Sequence, residues 1–159
     1  MLLKKAILFT VLLLILFFTV SSCIVSDDKV IHSLGEYNDY DFYSQGAFQD
    51  YTDYAKYYFD SVDLTDNKYF SKCLPTDLDV IGEFLDGFER LIETFGKNDA
   101  SLEIVLNYDF DRSLIDTEDY FYMDVEEHTS DYGYTFIASY DIYFFDIQTN
   151  TLYYFHNNI

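Results

Sequence analysis

From Ala6 to Val20 the chain reads AILFTVLLLILFFTV, an apolar run without charge, proline or glycine. The text from Ile24 to about Tyr43 then mixes charges, Gly35 and aromatics without a sustained period, as a connecting segment would, and reads as a tether up to about Gly35. From Ala47 the spacing changes. Phe48, Tyr51, Ala55, Tyr58 and Val62 fall at steps of three and four, which predicts a helix from about Ala47 to Phe59. A second helix is predicted over PTDLDVIGEFLDGFERLIETFG, where Leu78, Ile81, Leu85, Phe88, Ile92 and Phe95 line one face. Thr76 is placed to cap its start, Asp77 and Asp79 to complement the dipole, and Gly96 to stop it in a left-handed conformation. Gly82 and Gly87 weaken it by roughly 1 kcal/mol each relative to alanine. The stretch DASLEIVLNY, Asp99 to Tyr108, fits a short helix through Leu102, Val105 and Leu106, although Ile104 and Val105 would also suit a strand.

Beyond Tyr108 the period becomes two. Phe121, Met123 and Val125 alternate with Tyr122 and Asp124; Phe136, Ala138, Tyr140, Ile142 and Phe144 alternate with Ile137, Ser139, Asp141 and Tyr143. Two aromatic runs flank DIQTNT, a turn in which Asn150 can take positive φ, so a β-hairpin closes the chain. The predicted class is α+β: two to three helices packed on one face of an antiparallel β-meander of three to four strands, ending in a C-terminal hairpin. The organisation is a leader over 1–22, a tether over 23–35 and one acidic domain over 36–159, a length that suits one core.

The leader carries its own chemistry. MLLKK followed by the apolar run has the n-region and h-region of an export signal, too short to span a bilayer comfortably. Val20-Ser21-Ser22-Cys23 resembles the lipobox of bacterial lipoproteins, in which small residues precede a cysteine that is acylated on sulfur and becomes the mature N-terminus. Val20 departs from the leucine favoured three places before that cysteine. The resemblance makes Cys23 the lipidation site, and the multiple chains of such a cysteine give an anchor that one acyl chain does not. Two other readings stand beside it. An ordinary signal-peptidase cut leaves Cys23 free to pair with Cys73, and an uncleaved run extended to Val25 would be a membrane anchor. All three put the rest of the chain outside the cytoplasm. With Cys23 lipidated, Cys73 is read as a small buried apolar residue.

Charge narrows the partners. The chain carries 29 Asp and Glu against 9 Lys and Arg, a formal charge of −20, and loss of Lys4 and Lys5 with the leader makes it more negative still. Nucleic acid and anionic lipid headgroups both need a basic surface, so neither is expected as a partner; a basic protein or a glycan is. The 17 Tyr and 16 Phe are too much aromatic surface for a disordered tail. Tyr37, Tyr40, Tyr43, Tyr51, Tyr54, Tyr57 and Tyr58 cluster before and within the first predicted helix, where they either pack or form a recognition face.

Motifs for catalysis are few. Asp109-Phe110-Asp111-Arg112-Ser113 begins like a calcium loop, but Leu114 and Tyr120 stand where an EF-hand needs Gly and Glu, so an acidic loop is the reading. Asp63, Asp66 and Asn67 read as an Asx-type turn. His32, His128 and His156 stand in a linker, a loop and a terminal strand without metal-binding spacing. No nucleophile elbow or glycine-rich phosphate loop occurs, so no catalytic residue, metal or cofactor is expected.

Helices ahead of an antiparallel sheet make the domain similar to cystatin-like and nuclear-transport-factor-like folds. The lipobox and the Asp/Tyr/Phe/Asn-rich text resemble the many uncharacterised small lipoproteins of low-GC Gram-positive bacteria, a likeness that implies no activity. The expectation is a membrane-anchored surface lipoprotein with a non-enzymatic binding or structural domain. Its rivals are an inhibitor or immunity-type protein that neutralises a basic toxin or enzyme, and a carboxylate-dependent hydrolase of cell wall or glycan.

Overall fold

Residues 50–58, DYTDYAKYY, form a strand and not the helix expected over Ala47 to Phe59. Thr52, Asp53, Tyr54, Ala55 and Tyr57 are all buried, so the strand is covered on both faces and leaves no two-residue alternation of polarity in the text. The apparent helical steps through Tyr51, Ala55 and Tyr58 join side chains from opposite faces of that strand.

The computed structural model describes residues 28–47 and 50–158, with Ala47 described in its backbone only. The chain divides into two compact units, one ending at His32 and the other beginning at Ser33. In the first, the described part is a helical turn, α1 (Lys29–His32), opened by the Asp28 carboxylate, which accepts from the Val30 N–H at 2.8 Å. The second holds six antiparallel strands: β1 (Asp39–Ala47), β2 (Asp50–Tyr58), β3 (Ser71–Lys72), β4 (Tyr120–Thr129), β5 (Thr135–Asp146) and β6 (Thr151–Asn158). Their order in the sheet is β1-β2-β6-β5-β4-β3. The fold is α+β as expected, and the meander β4-β5-β6 with its closing hairpin is present. Three further strands join them: β2 comes from text read as helix, and β1 and β3 from text beyond the tether with no predicted element.

Helix α2 (Pro75–Asn98) supplies the main cover of the sheet. Its buried Ile81, Leu85, Phe88 and Ile92 form one core with Tyr54, Tyr140, Ile142, Phe144 and Phe155. Pro75 stands in the first turn, where its missing N–H costs nothing. The expected cap at Thr76 is replaced by one a residue outside the helix: the Asp77 carboxylate reaches back to the Leu74 N–H at 2.9 Å. Gly96 does not stop the helix, which runs two residues further. A Cβ at Gly96 would lie 3.2 Å from Val105 Cγ1, so the glycine allows α3 (Glu103–Asn107) to pack close.

The opposite sheet face is not bare. Tyr57, Phe59, Phe145 and Leu152 are buried outside the α2 core, with the Tyr37 ring 5.1 Å from Tyr57 and the Phe59 ring 6.0 Å from Phe145. The expected packing on one face alone therefore does not describe the whole sheet. The β5–β6 turn follows the sequence reading. Asn150 has φ 52°, and the Asp146 carboxylate accepts from the Gln148 N–H at 2.8 Å and the Thr149 hydroxyl at 2.7 Å.

Candidate functional site

The carboxylates that looked most like ligands in the sequence are occupied by the fold. Asp109 accepts from the Tyr54 hydroxyl at 2.7 Å and from Lys56 Nζ at 2.8 Å, tying the loop after α3 to β2. Burial pushes the Asp109 carboxyl up, but its bonds to Lys56 and Tyr54 outweigh this and hold it below its ordinary value. Asp111 accepts from the Ser113 N–H at 2.8 Å and opens a 3-10 turn, Arg112–Leu114. The Arg112 guanidinium pairs with Asp86 of α2 and lies over Gly82, where a Cβ would come within 2.5 Å of Nη2. Asp63 and Asn67 form the Asx-type turns expected, accepting from Thr65 and Tyr69 N–H groups at 3.0 and 2.9 Å.

Cys73 is buried, and burial pushes its thiol up to about 12, which removes the thiolate that reactivity needs. Next to it, fully buried Asp119 accepts from the Asp116 N–H at 3.0 Å and the Ile147 N–H at 3.1 Å, holding the β5–β6 turn to the segment before β4. Burial raises its carboxyl to about 6, with Asp116 and Asp146 adding to the rise against those two hydrogen bonds. Cys23, the leading site residue from the sequence, lies outside the described residues.

The described histidines are dispersed. His32 is in α1, His128 is on β4 and not in the loop expected for it, and His156 is on β6 between Asp53 of β2 and Asp141 of β5. Of the seven tyrosines singled out before Phe59, Tyr54 and Tyr57 are buried, Tyr37, Tyr43 and Tyr58 half-buried and Tyr40 and Tyr51 exposed, so five of them pack at least in part.

Tyr40, Phe42 and Tyr51 on β1 and β2 are exposed, but the most exposed aromatic residues are at the far end of the β4–β5 hairpin. Tyr132 is 89% exposed and Tyr134 75%, with Phe136 and Ile137 also open to solvent. The turn is made by Gly133 at φ 81°, whose N–H donates to the Ser130 carbonyl at 2.8 Å. A register shift between Glu126 and Glu127 bends the hairpin just before its tip. Phe136 lines a concavity of about 550 Å³ with Glu127, His128, Asp131 and Tyr132. Ile137 lines a second, of about 630 Å³, with Phe84, Leu91 and Tyr140, edged by Glu83, Asp86 and Arg90. No Lys or Arg follows Arg112 in the sequence, so with histidine neutral every formal charge on the hairpin is negative. The signal available in the text was SDYGYTF, a glycine turn whose aromatics have no polar partner face to fill.

Among the described residues no group of three or more His, Cys, Asp or Glu is gathered to hold a metal ion, and no helix is long and apolar enough to cross a membrane. Comparison with known proteins gives no matching family model, no similar curated protein and no similar solved structure.

Proposed function

We propose that the chain is a membrane-anchored bacterial surface lipoprotein whose domain binds a basic protein through the tip of the β4–β5 hairpin. The observation that carries this reading is the pairing of Tyr132, Tyr134, Phe136 and Ile137, all exposed, with Glu126, Glu127 and Asp131 in a segment devoid of Lys and Arg. Large rigid aromatics give contact area at small entropic cost, and the surrounding carboxylates steer a cationic partner and reject an anionic one. Cys23 carries the lipid, residues 23–35 form the tether, and the domain over 36–159 acts without catalysis. An inhibitor of a basic toxin or enzyme is the second reading, favoured by the same one-signed surface.

Two measurements test the proposal. Intact N-terminal mass from the membrane fraction is expected to show a mature chain beginning at Cys23 with diacylglycerol attached, and accumulation of precursor in Cys23→Ala. Binding to an immobilised lysine-rich protein is expected to weaken with salt and to fall at least ~10-fold in Tyr132→Ser/Tyr134→Ser with unchanged melting temperature. Equal binding by that double variant would reduce the interaction to bulk charge and remove the hairpin from it.

A further inference from the structure

A straight row of polar side chains crosses the sheet on the face turned away from α2. In the strand register Ser44 stands opposite Asp53, Asp53 opposite His156, His156 opposite Asp141, and Asp141 opposite Asp124. Directly opposed residues share a face with Cβ atoms about 4.5–5.5 Å apart, so His156 is flanked by two carboxylates in a row that contains no Lys or Arg. Asp53 and His156 are each only 7% exposed.

We infer that Asp53 and His156, with Asp141 behind them, form a binding site for a cationic N–H donor, a primary ammonium or guanidinium group. The hydrogen bonds in the row decide the chemistry. Asp141 Oδ1 accepts from the Tyr154 hydroxyl at 2.7 Å and lies 2.8 Å from His156 Nδ1. An ionised carboxylate can only accept, so Nδ1 carries a proton, and in the singly protonated ring Nε2 presents a lone pair. That Nε2 is buried without a hydrogen-bond partner, and so is Oδ1 of Asp53. Two neighbouring buried acceptors without a donor are an exception in folded proteins. What would satisfy both is a single group with at least two N–H donors, and positive charge suits the position beside Asp53 and Asp141.

The surroundings fit that ligand. The Tyr51 ring stacks on His156 with centroids 4.5 Å apart, and the Tyr154 ring lies 6.4 Å from it, so aromatic faces lie beside the imidazole. Tyr51 stands at the start of β2 and is 38% exposed, so the ring that covers His156 is itself in contact with solvent. Burial raises the Asp53 carboxyl above its ordinary value against its bond from Ser44, a cost that an arriving cation relieves. The site is separate from the β4–β5 tip and does not depend on it.

The test uses the full chain in detergent with ¹⁵N-labelled histidine, following the His156 ring nitrogens by NMR. Methylammonium and methylguanidinium chloride are titrated against tetramethylammonium chloride at equal ionic strength, the last having charge but no N–H. The expected result is a saturable shift of His156 Nε2 with either N–H donor, none with tetramethylammonium, and at least ~10-fold weaker binding in Asp53→Asn. Tyr132→Ser/Tyr134→Ser is expected to titrate as the parent does, which separates this site from the hairpin surface. Equal response to tetramethylammonium, absence of a saturable shift, or unchanged affinity in Asp53→Asn would overturn the assignment. The comparison with tetramethylammonium needs no variant, so it decides the matter if Asp53→Asn does not fold. A blocked lysine or arginine tripeptide that binds like the small probes assigns the site to a protein side chain; binding of the small probes alone assigns it to a free amine.

Discussion

Asp119 shows how one residue couples the fold to pH. Its carboxyl titrates at about 6 in the folded chain against an ordinary 3.8, so between those values the folded state binds the extra proton. The stabilising contribution of the protonated group is therefore complete below about pH 4 and lost as pH rises through about 6, amounting to at most about 3 kcal/mol. In Asp119→Asn that slope should vanish, although one of the two backbone N–H bonds is lost with the second oxygen. Chemical denaturation of both proteins from pH 4 to 7 checks this: the parent's advantage should shrink across that window, and a constant difference would remove Asp119 as its source. No local text announces such a role. Asp109 is a similar case, resembling a metal ligand by spacing yet bonded to Tyr54 and Lys56, which arrive from a strand far away in sequence. Asn150, by contrast, was legible, because the demand for positive φ in a short turn is a local one.

Legibility at the level of elements followed solvent exposure. Helix α2 has one buried and one solvated face, so its 3.6-residue period stood out in the text. Strand β2, covered on both faces, had no contrast to display, and the edge strand β1 was hidden in charged text. The polar row was unreadable for another reason: each of its members is ordinary alone, and only the pairing of β2 with β6 brings Asp53 to His156. The helix glycines give a paired prediction. A Cβ at Gly87 meets nothing nearer than the flexible end of Arg90 at 3.9 Å, so Gly87→Ala should stabilise the protein by about 0.5–1 kcal/mol. Gly82→Ala meets the Arg112 guanidinium and should forfeit that gain by displacing the Arg112–Asp86 pair. Thermal melts of the two variants against the parent suffice, and equal stabilisation by both would show that Arg112 yields without cost.

At the scale of the molecule, charge and topology dominate. With 29 acids against 9 bases, and Lys56, Lys72, Lys97 and Arg112 already paired within the fold, self-repulsion opposes folding. Raising NaCl from 20 mM to 300 mM should shorten the Debye length from about 20 Å to under 8 Å and lift the melting temperature, a rise that an Asp-to-Asn variant at exposed Asp131 should reduce. A melting temperature indifferent to salt would place the acids too far apart to matter. The sheet order adds a constraint in time. Because β6 lies between β2 and β5, residues 151–158 are the seam that joins the β1–β2 ribbon to the β4–β5 ribbon. Until that strand emerges, the two ribbons have no hydrogen-bonded connection, and the aromatic interior has no wall between them. A chain emerging from its N-terminus would thus stay unlatched until β6 had followed, pliable and open to proteolysis until then.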